Sequence, residues 1–367
     1  MIIAGEASGD LHGANLVKAI QARVAFISFF GVGGNALRDA GVTIRVNAEE
    51  LSVVGLSEAF SKIGTILKAL HLLKKDLKMR RPDLLILIDF PDFNLKLAAA
   101  AKKLNIPVMY YISPQVWAWR TGRVRKIQRL VDEMVVILPF EVNFYKEHGI
   151  HVTFVGHPLL DNIPPADLNN TLDQEGIQTI GLLPGSRSEE VARILPVMVQ
   201  AAEIIAAQRQ NITFVVPIAM SVDRGQVDAI VRGCRANLSI VQGNIHNVLQ
   251  SAALVISASG TVTLEAALFG TPMIIVYKMS WLSHWLGTKL IRVKHIGLAN
   301  LIAGKEVVPE LIQEKASPEN IAEHALRLLR DKEARADIQQ QLRMIRKKLG
   351  APGASAMAAE VALGMLS

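Results

Sequence analysis

The chain contains little cysteine and few aromatic residues, and both shortages exclude classes of protein. One cysteine, Cys234, in 367 residues excludes an internal disulfide framework and a multi-cysteine zinc site, and is typical of a reducing compartment. Aromatic residues make up 5% of the chain, and no stacking-aromatic motif is interleaved with its basic residues. We therefore expect no nucleic-acid partner.

Long apolar runs are also missing. The chain is 50% hydrophobic with a mean hydropathy of +0.29, yet no stretch approaches the roughly 18 to 20 uninterrupted apolar residues of a membrane-spanning helix. Its start, MIIAGEASGD, lacks the features of a secretory signal, so we expect no export. The net charge of +7 indicates acidic partners, which leaves phosphorylated substrates or anionic lipid.

Several common catalytic motifs are absent. The chain has no GxxxxGK[ST] phosphate loop, no G-x-S-x-G serine turn and no D-x-D metal-carrying motif. GVGGNA, residues 31–36, fits a loose dinucleotide-binding pattern, but no suitably placed acidic residue accompanies it. The residues therefore predict neither a cofactor nor a metal site.

Short apolar runs alternate with amphipathic helical patterns, which predicts an α/β fold of two doubly wound, Rossmann-like domains facing a central cleft. We place the domains at residues 1–160 and 161–317, with a proline-rich linker at 158–176 and a helical tail at 318–367. The predicted strands are 1–4, 25–30, 84–88, 108–112, 134–138, 152–155, 179–183, 212–217, 238–241, 254–257 and 273–277.

The stretch SASGTVTLEAAL, residues 257–268, joins a strand to a helix through small residues. The first N–H groups of a helix have no internal partner, so this turn predicts an anion site in which Ser259, Gly260 and Thr261 cap the helix over a diphosphate. Glu265 lies one turn further on the same face, where a carboxylate can accept hydrogen bonds from two adjacent hydroxyls, as on a ribose. The alternative is an ordinary capped helix with a solvated glutamate.

Two other turns follow predicted strands. GEASGD contains Gly5, Ser8, Gly9 and Asp10, and its glycines allow the backbone to approach a ligand closely. LLPGSRSEE, residues 182–190, adds Arg187, whose forked guanidinium suits a phosphate. The alternative is a tight turn with a solvated arginine.

The strand LLILI ends in Asp89. An acid at the carboxyl end of a buried parallel strand points toward a ligand, so Asp89 is the main candidate for a general base or an anchor for a substrate hydroxyl. His12 and Asp10 are competing bases. Further along, Trp117 and Trp119 follow another strand, where they either contact a ligand or pack at the rim of the sheet.

A basic amphipathic segment occupies residues 59–83. Lysines and arginines separate apolar residues at helical spacing, which indicates a membrane-surface or acyl-chain-binding helix, and the alternative is a helix that covers the sheet. A second apolar and basic stretch spans residues 279–295. The apolar residues of the first segment are Ile63, Ile66, Leu67, Leu70, Leu73 and Leu77.

Six motifs together resemble those of the lipid-A-disaccharide synthase family, in the same order and at similar spacing. The resemblance implies a GT-B glycosyltransferase that joins UDP-2,3-diacylglucosamine to 2,3-diacylglucosamine 1-phosphate (lipid X), inverts the anomeric carbon and requires no metal or cofactor. It also implies a homodimer with exchanged C-terminal helices, on the cytoplasmic face of the inner membrane. The motifs are GEASGDLHGA, IDFPDFN, SPQVWAWR, LPGSRSEEV, SASGTVTLEAAL and GLANLIAGKEVVPELIQ.

The family's functional positions fall on Asp89, Arg187, Glu265 and Asn300 of this chain. In the implied reaction, Asp89 or His12 deprotonates the acceptor, and Arg187 and Lys278 stabilise the departing UDP. The acceptor and lipid belong to residues 1–160 and the UDP-sugar to 161–317. The alternatives are another GT-B enzyme, such as the lipid-II-forming transferase or a UDP-sugar 2-epimerase, and a membrane-surface binding protein that is not an enzyme.

Overall fold

The structure, a computed structural model, describes residues 1–51, 56–118, 121–163, 176–278 and 294–366. It divides into two units. Unit 1 comprises Met1–Asn162 and Leu349–Ser367, and unit 2 comprises Ile163–Lys348. The C-terminal helical segment is therefore shared, since residues 318–348 belong to unit 2 and the remainder to unit 1.

Each unit is built on one sheet whose paired strands are all parallel. The sheet of unit 1 has the strand order β3-β2-β1-β4-β5-β6-β7, and the sheet of unit 2 has the order β10-β9-β8-β11-β12-β13. The strands are β1 Ile2–Ala4, β2 Phe30–Gly33, β3 Thr43–Asn47, β4 Leu85–Ile88, β5 Val108–Tyr111, β6 Glu133–Val136, β7 Thr153–Phe154, β8 Gln178–Leu183, β9 Ile212–Ile218, β10 Leu238–Gln242, β11 Leu254–Ala258, β12 Met273–Tyr277 and β13 Glu310–Ile312.

Helices connect successive strands, as parallel pairing requires, because the chain must return to the starting edge of the sheet. The described α-helices are α1 Ala7–Gln21, α2 Asn35–Asp39, α3 Ala48–Leu51, α4 Leu56–Arg80, α5 Pro91–Lys102, α6 Val124–Leu130, α7 Pro139–Glu147, α8 Leu159–Asn162, α9 Ser188–Gln208, α10 Arg224–Val231, α11 Ile245–Ser251, α12 Thr261–Phe269, α13 Leu298–Ala303, α14 Pro318–Arg330, α15 Lys332–Lys348 and α16 Ala354–Gly364.

The strand order reverses once in each sheet, and ligands of doubly wound folds bind where this reversal opens a crevice. In unit 1 the reversal lies between β1 and β4, the strands that lead to the GEASGD turn and to Asp89. In unit 2 it lies between β8 and β11, which lead to Arg187 and to Ser259. Topology therefore brings together turns that are about 80 residues apart in the chain.

Most of the predicted strands occur close to their expected positions, but the second prediction, 25–30, is wrong. The strand is Phe30–Gly33, and Phe26 is 99% exposed. The glycines that follow the predicted strand belong to the observed one, which approaches β1 closely: a Cβ atom on Gly31 would lie 1.7 Å from the carbonyl oxygen of Ile2. Strands β3 and β13 were not predicted.

Candidate active site

Unit 2 contains a cavity of about 370 Å³ at the carboxyl edge of its sheet. The turns that follow four neighbouring strands, β8 to β11, line it. Two of these turns contain predicted site residues, and the other two provide mainly apolar and backbone groups. The lining residues include Gly185, Arg187 and Glu190, then Pro217, Ile218 and Ala219, then Gly243 and Ile245, and finally Ser259, Gly260, Thr261 and Glu265.

Helices α9 and α12 both begin at this cavity. Gly260 is the N-cap residue of α12 and has no side chain to occupy the first N–H groups, with open space where its Cβ would be. Arg187 is the N-cap residue of α9, and its side chain does not cap the helix. Because each helix N-terminus presents N–H groups and partial positive charge, their convergence makes this cavity suited to an anion.

Glu190 organises the turn around Arg187 and was not predicted from the sequence. Its carboxylate lies 3.1 Å from the Arg187 Nη1 atom and accepts a hydrogen bond of 3.3 Å from the Ser186 N–H. Gly185 has φ +115°, and a Cβ there would lie 2.5 Å from Glu190 Oε2. The acidic pair of Glu189 and Glu190 in the first turn of α9 could have indicated this contact, since acids favour the first turn of a helix.

Glu265 lies one turn into α12, on the wall of the cavity. Its side chain is 17% exposed, and its Oε2 atom lies 3.1 Å from the Nε2 atom of His246. The imidazole of His246 also packs against Phe269, with ring centroids 5.3 Å apart. His246 therefore restrains the Glu265 carboxylate, and the sequence offered no signal for it because the two residues lie on separate helices.

Asn300 is fully buried and serves as the centre of a network in unit 2. Its Nδ2 atom donates to the carbonyl of Val308 and to Glu310 Oε1, both at 2.8 Å, and its Oδ1 atom accepts from the N–H of Val307 at 2.7 Å. Glu310 in turn accepts from the N–H of Ile296. The structure thus places Asn300 among backbone groups rather than on the cavity wall.

Two further predicted residues of unit 2 are Ser259, which lines the cavity, and Lys278. The hydroxyl of Ser259 donates to the carbonyl of Ile296 at 3.3 Å, so the protein itself engages that side chain. Lys278 follows the carboxyl end of β12, next to the strand that leads to Ser259, but is not among the residues that line the cavity. The predicted stretch 279–295 lies outside the described residues except for its last two positions.

In unit 1, Asp89 lies in the turn between β4 and α5. Burial, and secondarily the negative charge of Glu6, raise the pKa of its carboxyl group to about 6. Asp89 and Phe90 both have left-handed backbone conformations, with φ of +41° and +48°. Strained non-glycine residues of this kind cluster at functional sites, because the surrounding structure must hold them.

Gly5 connects the GEASGD turn to this site. A Cβ atom on Gly5 would lie 2.5 Å from the ring of Phe90, so the missing side chain makes room for that ring. Gly9 lies under Ile88, with 3.4 Å between its would-be Cβ and the Ile88 Cγ2 atom. Ser8 is exposed in the first turn of α1. The turn therefore packs directly against the Asp89 segment.

Asp10 has a structural partner that the sequence did not reveal. Its carboxylate accepts hydrogen bonds from the N–H groups of Gly34 at 2.6 Å, Ala36 at 3.0 Å and Leu37 at 3.2 Å. It thereby caps α2 from a different helix, α1. This contact gives a physical role to the GVGGNA stretch, where little room exists for side chains beside Asp10.

We expect Asp10→Ala to lower the free energy of unfolding by about 2 to 4 kcal/mol, because it leaves three N–H groups without their charged acceptor. Urea denaturation followed by circular dichroism measures this change. Asp39→Ala is the matched control, since Asp39 is an exposed acid at the other end of α2. Equal stability of the two variants would contradict the capping role.

His12 is buried within α1, and burial lowers the pKa of its imidazole. Its charged neighbour is Asp161. Burial, and secondarily the charge of His12, lower the pKa of His157 to about 3. The Nδ1 atom of His12 has no hydrogen-bond partner within the described part of the chain. His12 therefore belongs to a group of buried residues around Asp161, whereas the charged neighbour of Asp89 is Glu6.

Trp117 packs against α7. Its ring makes an edge contact with Phe140, with centroids 4.9 Å apart, and its Nε1 atom donates to Glu141 at 3.1 Å. Glu141 is buried, which raises the pKa of its carboxyl group to about 7. Of the two alternatives for this loop, packing at the rim describes Trp117, and Trp119 lies outside the described residues.

Comparison with known proteins identifies the family. Residues 1–364 match the family described as Lipid-A-disaccharide synthetase. The lipid-A-disaccharide synthase of Syntrophus aciditrophicus is 48% identical over 372 residues, which cover 100% of this chain and 97% of that protein. The synthase of Trichlorobacter lovleyi is 46% identical over 374 residues, with the same two coverages. This chain belongs to the lipid-A-disaccharide synthase family.

Solved structures resemble this synthase-family chain in fold. A UDP-GlcNAc 2-epimerase from Neisseria meningitidis bound to UDP-GlcNAc has a TM-score of 0.66 at 14% identity, covering 99% of each chain. The calicheamicin glycosyltransferase CalG4 has a TM-score of 0.63 at 15% identity, covering 99% of this chain and 96% of that one. The predicted GT-B fold, with two doubly wound parallel sheets and C-terminal helices, is confirmed.

In this member of the synthase family, helix α4 has a buried and an exposed apolar surface. Leu70, Leu73 and Leu77 lie in the core of unit 1. This part of α4 therefore covers the sheet, which was the alternative to a membrane-surface helix. Ile63 and Leu67 are 46% and 55% exposed. Ile66 is partly buried against the core. Only the N-terminal part of the six-residue set therefore presents apolar surface to solvent.

None of the helices in the described ranges is long and apolar enough to span a membrane.

Proposed function

We propose that this chain transfers 2,3-diacylglucosamine from UDP to the 6-hydroxyl of lipid X, and so forms the β-1,6-linked disaccharide 1-phosphate of lipid A. Its family supports the reaction, since the relatives that cover its full length are lipid-A-disaccharide synthases. The single structural observation that carries the donor half is the convergence of α9 and α12 on one cavity beside Arg187 and Glu265.

The donor fits this cavity by chemistry. The diphosphate lies against the N–H groups at Gly260 and Thr261 and pairs with Arg187, because both carry positive charge. The ribose hydroxyls donate to Glu265, which His246 restrains. The flat uracil ring lies against the apolar wall that Ile218 and Ile245 help to form. Within this proposal, Asn300 shapes the loop at Val307 and Val308, whose N–H groups donate hydrogen bonds to it.

Asp89 acts as the general base. Its raised pKa makes the carboxylate a stronger base than an ordinary aspartate, yet leaves it ionised near pH 7. As the acceptor oxygen loses its proton to Asp89, it attacks the donor C1 atom from the face opposite UDP. The C1–O bond breaks, and the negative charge that forms on UDP is stabilised by Arg187 and the helix N-termini. Attack from the opposite face inverts the anomeric configuration.

A direct assay tests the reaction. Purified protein is incubated with radiolabelled lipid X and UDP-2,3-diacylglucosamine, and the product is separated by thin-layer chromatography. We expect a disaccharide phosphate from the acylated donor and none from UDP-GlcNAc. Conversion of UDP-GlcNAc to its 2-epimer, with no disaccharide formed, would instead support the epimerase alternative. UDP binding measured by calorimetry would remain in both cases.

We also propose that the N-terminal half of α4 binds the anionic cytoplasmic surface of the inner membrane and the acyl chains of lipid X. Helix α4 links two parallel strands and so runs opposite to them, which places its N-terminal end at the carboxyl edge of the sheet, where Asp89 also lies. Exposed Ile63 and Leu67 lie there, next to exposed Lys68. Apolar residues flanked by cations are typical of interfacial helices.

Leu67→Glu is expected to reduce binding to vesicles of phosphatidylglycerol and phosphatidylethanolamine by about tenfold, because it replaces apolar contact with charge repulsion. Co-sedimentation measures the bound fraction. Met79→Glu is the matched control, since Met79 is 70% exposed at the opposite end of α4. An equal loss in both variants would indicate a general charge effect and contradict a localised surface.

A homodimer that exchanges its C-terminal helices completes the proposal. Helix α16 packs on α1 and is held by Asp161, which accepts hydrogen bonds from the N–H groups of Gly353 and Ser355 at 2.6 and 3.2 Å. The same contacts would form between two chains if their helices were exchanged. Light scattering coupled to size exclusion gives the mass, and a monomer at micromolar concentration would contradict the proposal.

A further inference from the structure

The backbone at Asp89 is held in an unfavourable conformation. Asp89 and Phe90 are consecutive non-glycine residues with positive φ, and phenylalanine has no side-chain group that favours this region. A strained pair of this kind persists only where neighbouring groups over-determine it. The positions of those neighbours therefore show what the fold maintains.

Two buried side chains converge on the carbonyl oxygen of Asp89. The Tyr110 hydroxyl donates to it at 2.5 Å, and the Asn94 Nδ2 atom donates to it at 2.6 Å. Asn94 also reaches the carbonyl of Ile88 at 3.2 Å. Both side chains are fully buried, and they come from different elements, since Tyr110 lies on β5 and Asn94 on α5.

We propose that Tyr110 and Asn94 are positioning residues that clamp the Asp89 carbonyl and thereby aim the Asp89 carboxylate at the acceptor hydroxyl. This inference rests on the proposed role of Asp89 as general base. Neither residue touches the reacting atoms in the mechanism above, so both act through the backbone. A helix that begins after a buried strand needs no such clamp. The clamp is explained by the left-handed conformation of Asp89, which sets the direction of the Asp89 side chain.

The clamp also determines the environment of the carboxylate. With the carbonyl released, Asp89 and Phe90 relax toward right-handed conformations and the carboxylate turns toward water, which lowers its pKa toward the ordinary value.

The charged group that faces Asp89 is Glu6, whose charge adds to the effect of burial in raising the pKa of the Asp89 carboxyl group. Tyr110 stays protonated because burial raises its pKa well above 10. Nearby Asp92 is paired with Arg123.

Tyr110→Phe tests the inference, because it removes only the hydroxyl. We expect kcat to fall by about 10- to 100-fold, as a misaligned catalytic group produces. The acidic limb of the kcat/KM profile should move to lower pH, and the dissociation constant of UDP should stay unchanged. Tyr111→Phe is the matched control, since Tyr111 is also buried but lies on the opposite face of β5.

Asn94→Ala provides a second variant that removes the other donor and should give the same two changes. A variant that keeps the wild-type kcat and acidic limb while only its melting temperature falls would overturn the inference and show a structural role. Asp89→Asn is assayed beside them: if that variant remains active, the proposed base is wrong and the clamp inference falls with it. An inactive Asp89→Asn with fully active Tyr110→Phe and Asn94→Ala would overturn the clamp alone.

Discussion

Asp89→Asn is expected to lower kcat by about 10²- to 10⁴-fold, since it removes the proposed general base without changing the size of the side chain. Asparagine is the suitable replacement because it tolerates the left-handed conformation that Asp89 adopts with φ +41°. The dissociation constant of UDP should not change, because the donor cavity belongs to unit 2. A comparable loss of turnover and UDP affinity would instead assign Asp89 to binding.

The pH dependence gives an independent check on Asp89. The base must be ionised, so kcat/KM should fall as the pH decreases through about 6, the pKa to which burial and Glu6 raise this carboxyl group. An unperturbed aspartate would place the limb near pH 4. The limb should be absent from the residual activity of Asp89→Asn.

Stability should change in the opposite direction to activity. The native pKa of Asp89 lies above its ordinary value of 3.8, so ionisation opposes folding. This penalty is absent below pH 4, grows between pH 4 and 6, and is complete above pH 6. Asp89→Asn removes it, and we expect at most roughly 3 kcal/mol of added stability at pH 8. Lower stability in urea denaturation would show that the carboxylate supports the fold.

Arg187→Ala is expected to lower kcat/KM for the donor by about 10²-fold and to weaken UDP binding by about tenfold. The reason is the loss of a forked cation beside the diphosphate, where negative charge grows as UDP departs. Arg187→Lys should recover part of the loss in affinity, since lysine keeps the charge but cannot bind two oxygens in one plane. Steady-state kinetics and calorimetry with UDP measure the two quantities.

The control for Arg187 is Arg224→Ala. Arg224 is an exposed arginine of unit 2, paired with Asp228 at the start of α10. Its removal changes the net charge equally but should leave both constants unchanged. Unchanged kinetics in Arg187→Ala would mean that this side chain, which is 57% exposed and bonded to Glu190, is the solvated arginine of an ordinary turn.

The site residues that could be predicted from the sequence lie in local strand–turn–helix signals. The small residues from Ser259 to Thr261 define a helix start without reference to the rest of the chain, and Asp89 ends a run of apolar residues. The contacts of Asp10 and Asn300 could not be predicted, because both side chains bond to backbone groups outside their own helices. Glu190 and His246 were missed for a related reason. Their roles come from the site side chains that they contact, Arg187 and Glu265, and the sequence does not show these contacts.

The sequence alone determined the α/β class, the family and the turns that carry the chemistry, because strand periodicity, helix starts and motif order are local properties. Only the tertiary structure decided that Leu70, Leu73 and Leu77 lie in the core while Ile63 and Leu67 are exposed. The same helical spacing of apolar residues suits a helix that covers the sheet and a helix that binds a membrane surface. It also decided that Tyr110 and Asn94 meet at Asp89. Strand order creates that contact, by bringing β4 beside β5 and laying α5 over both.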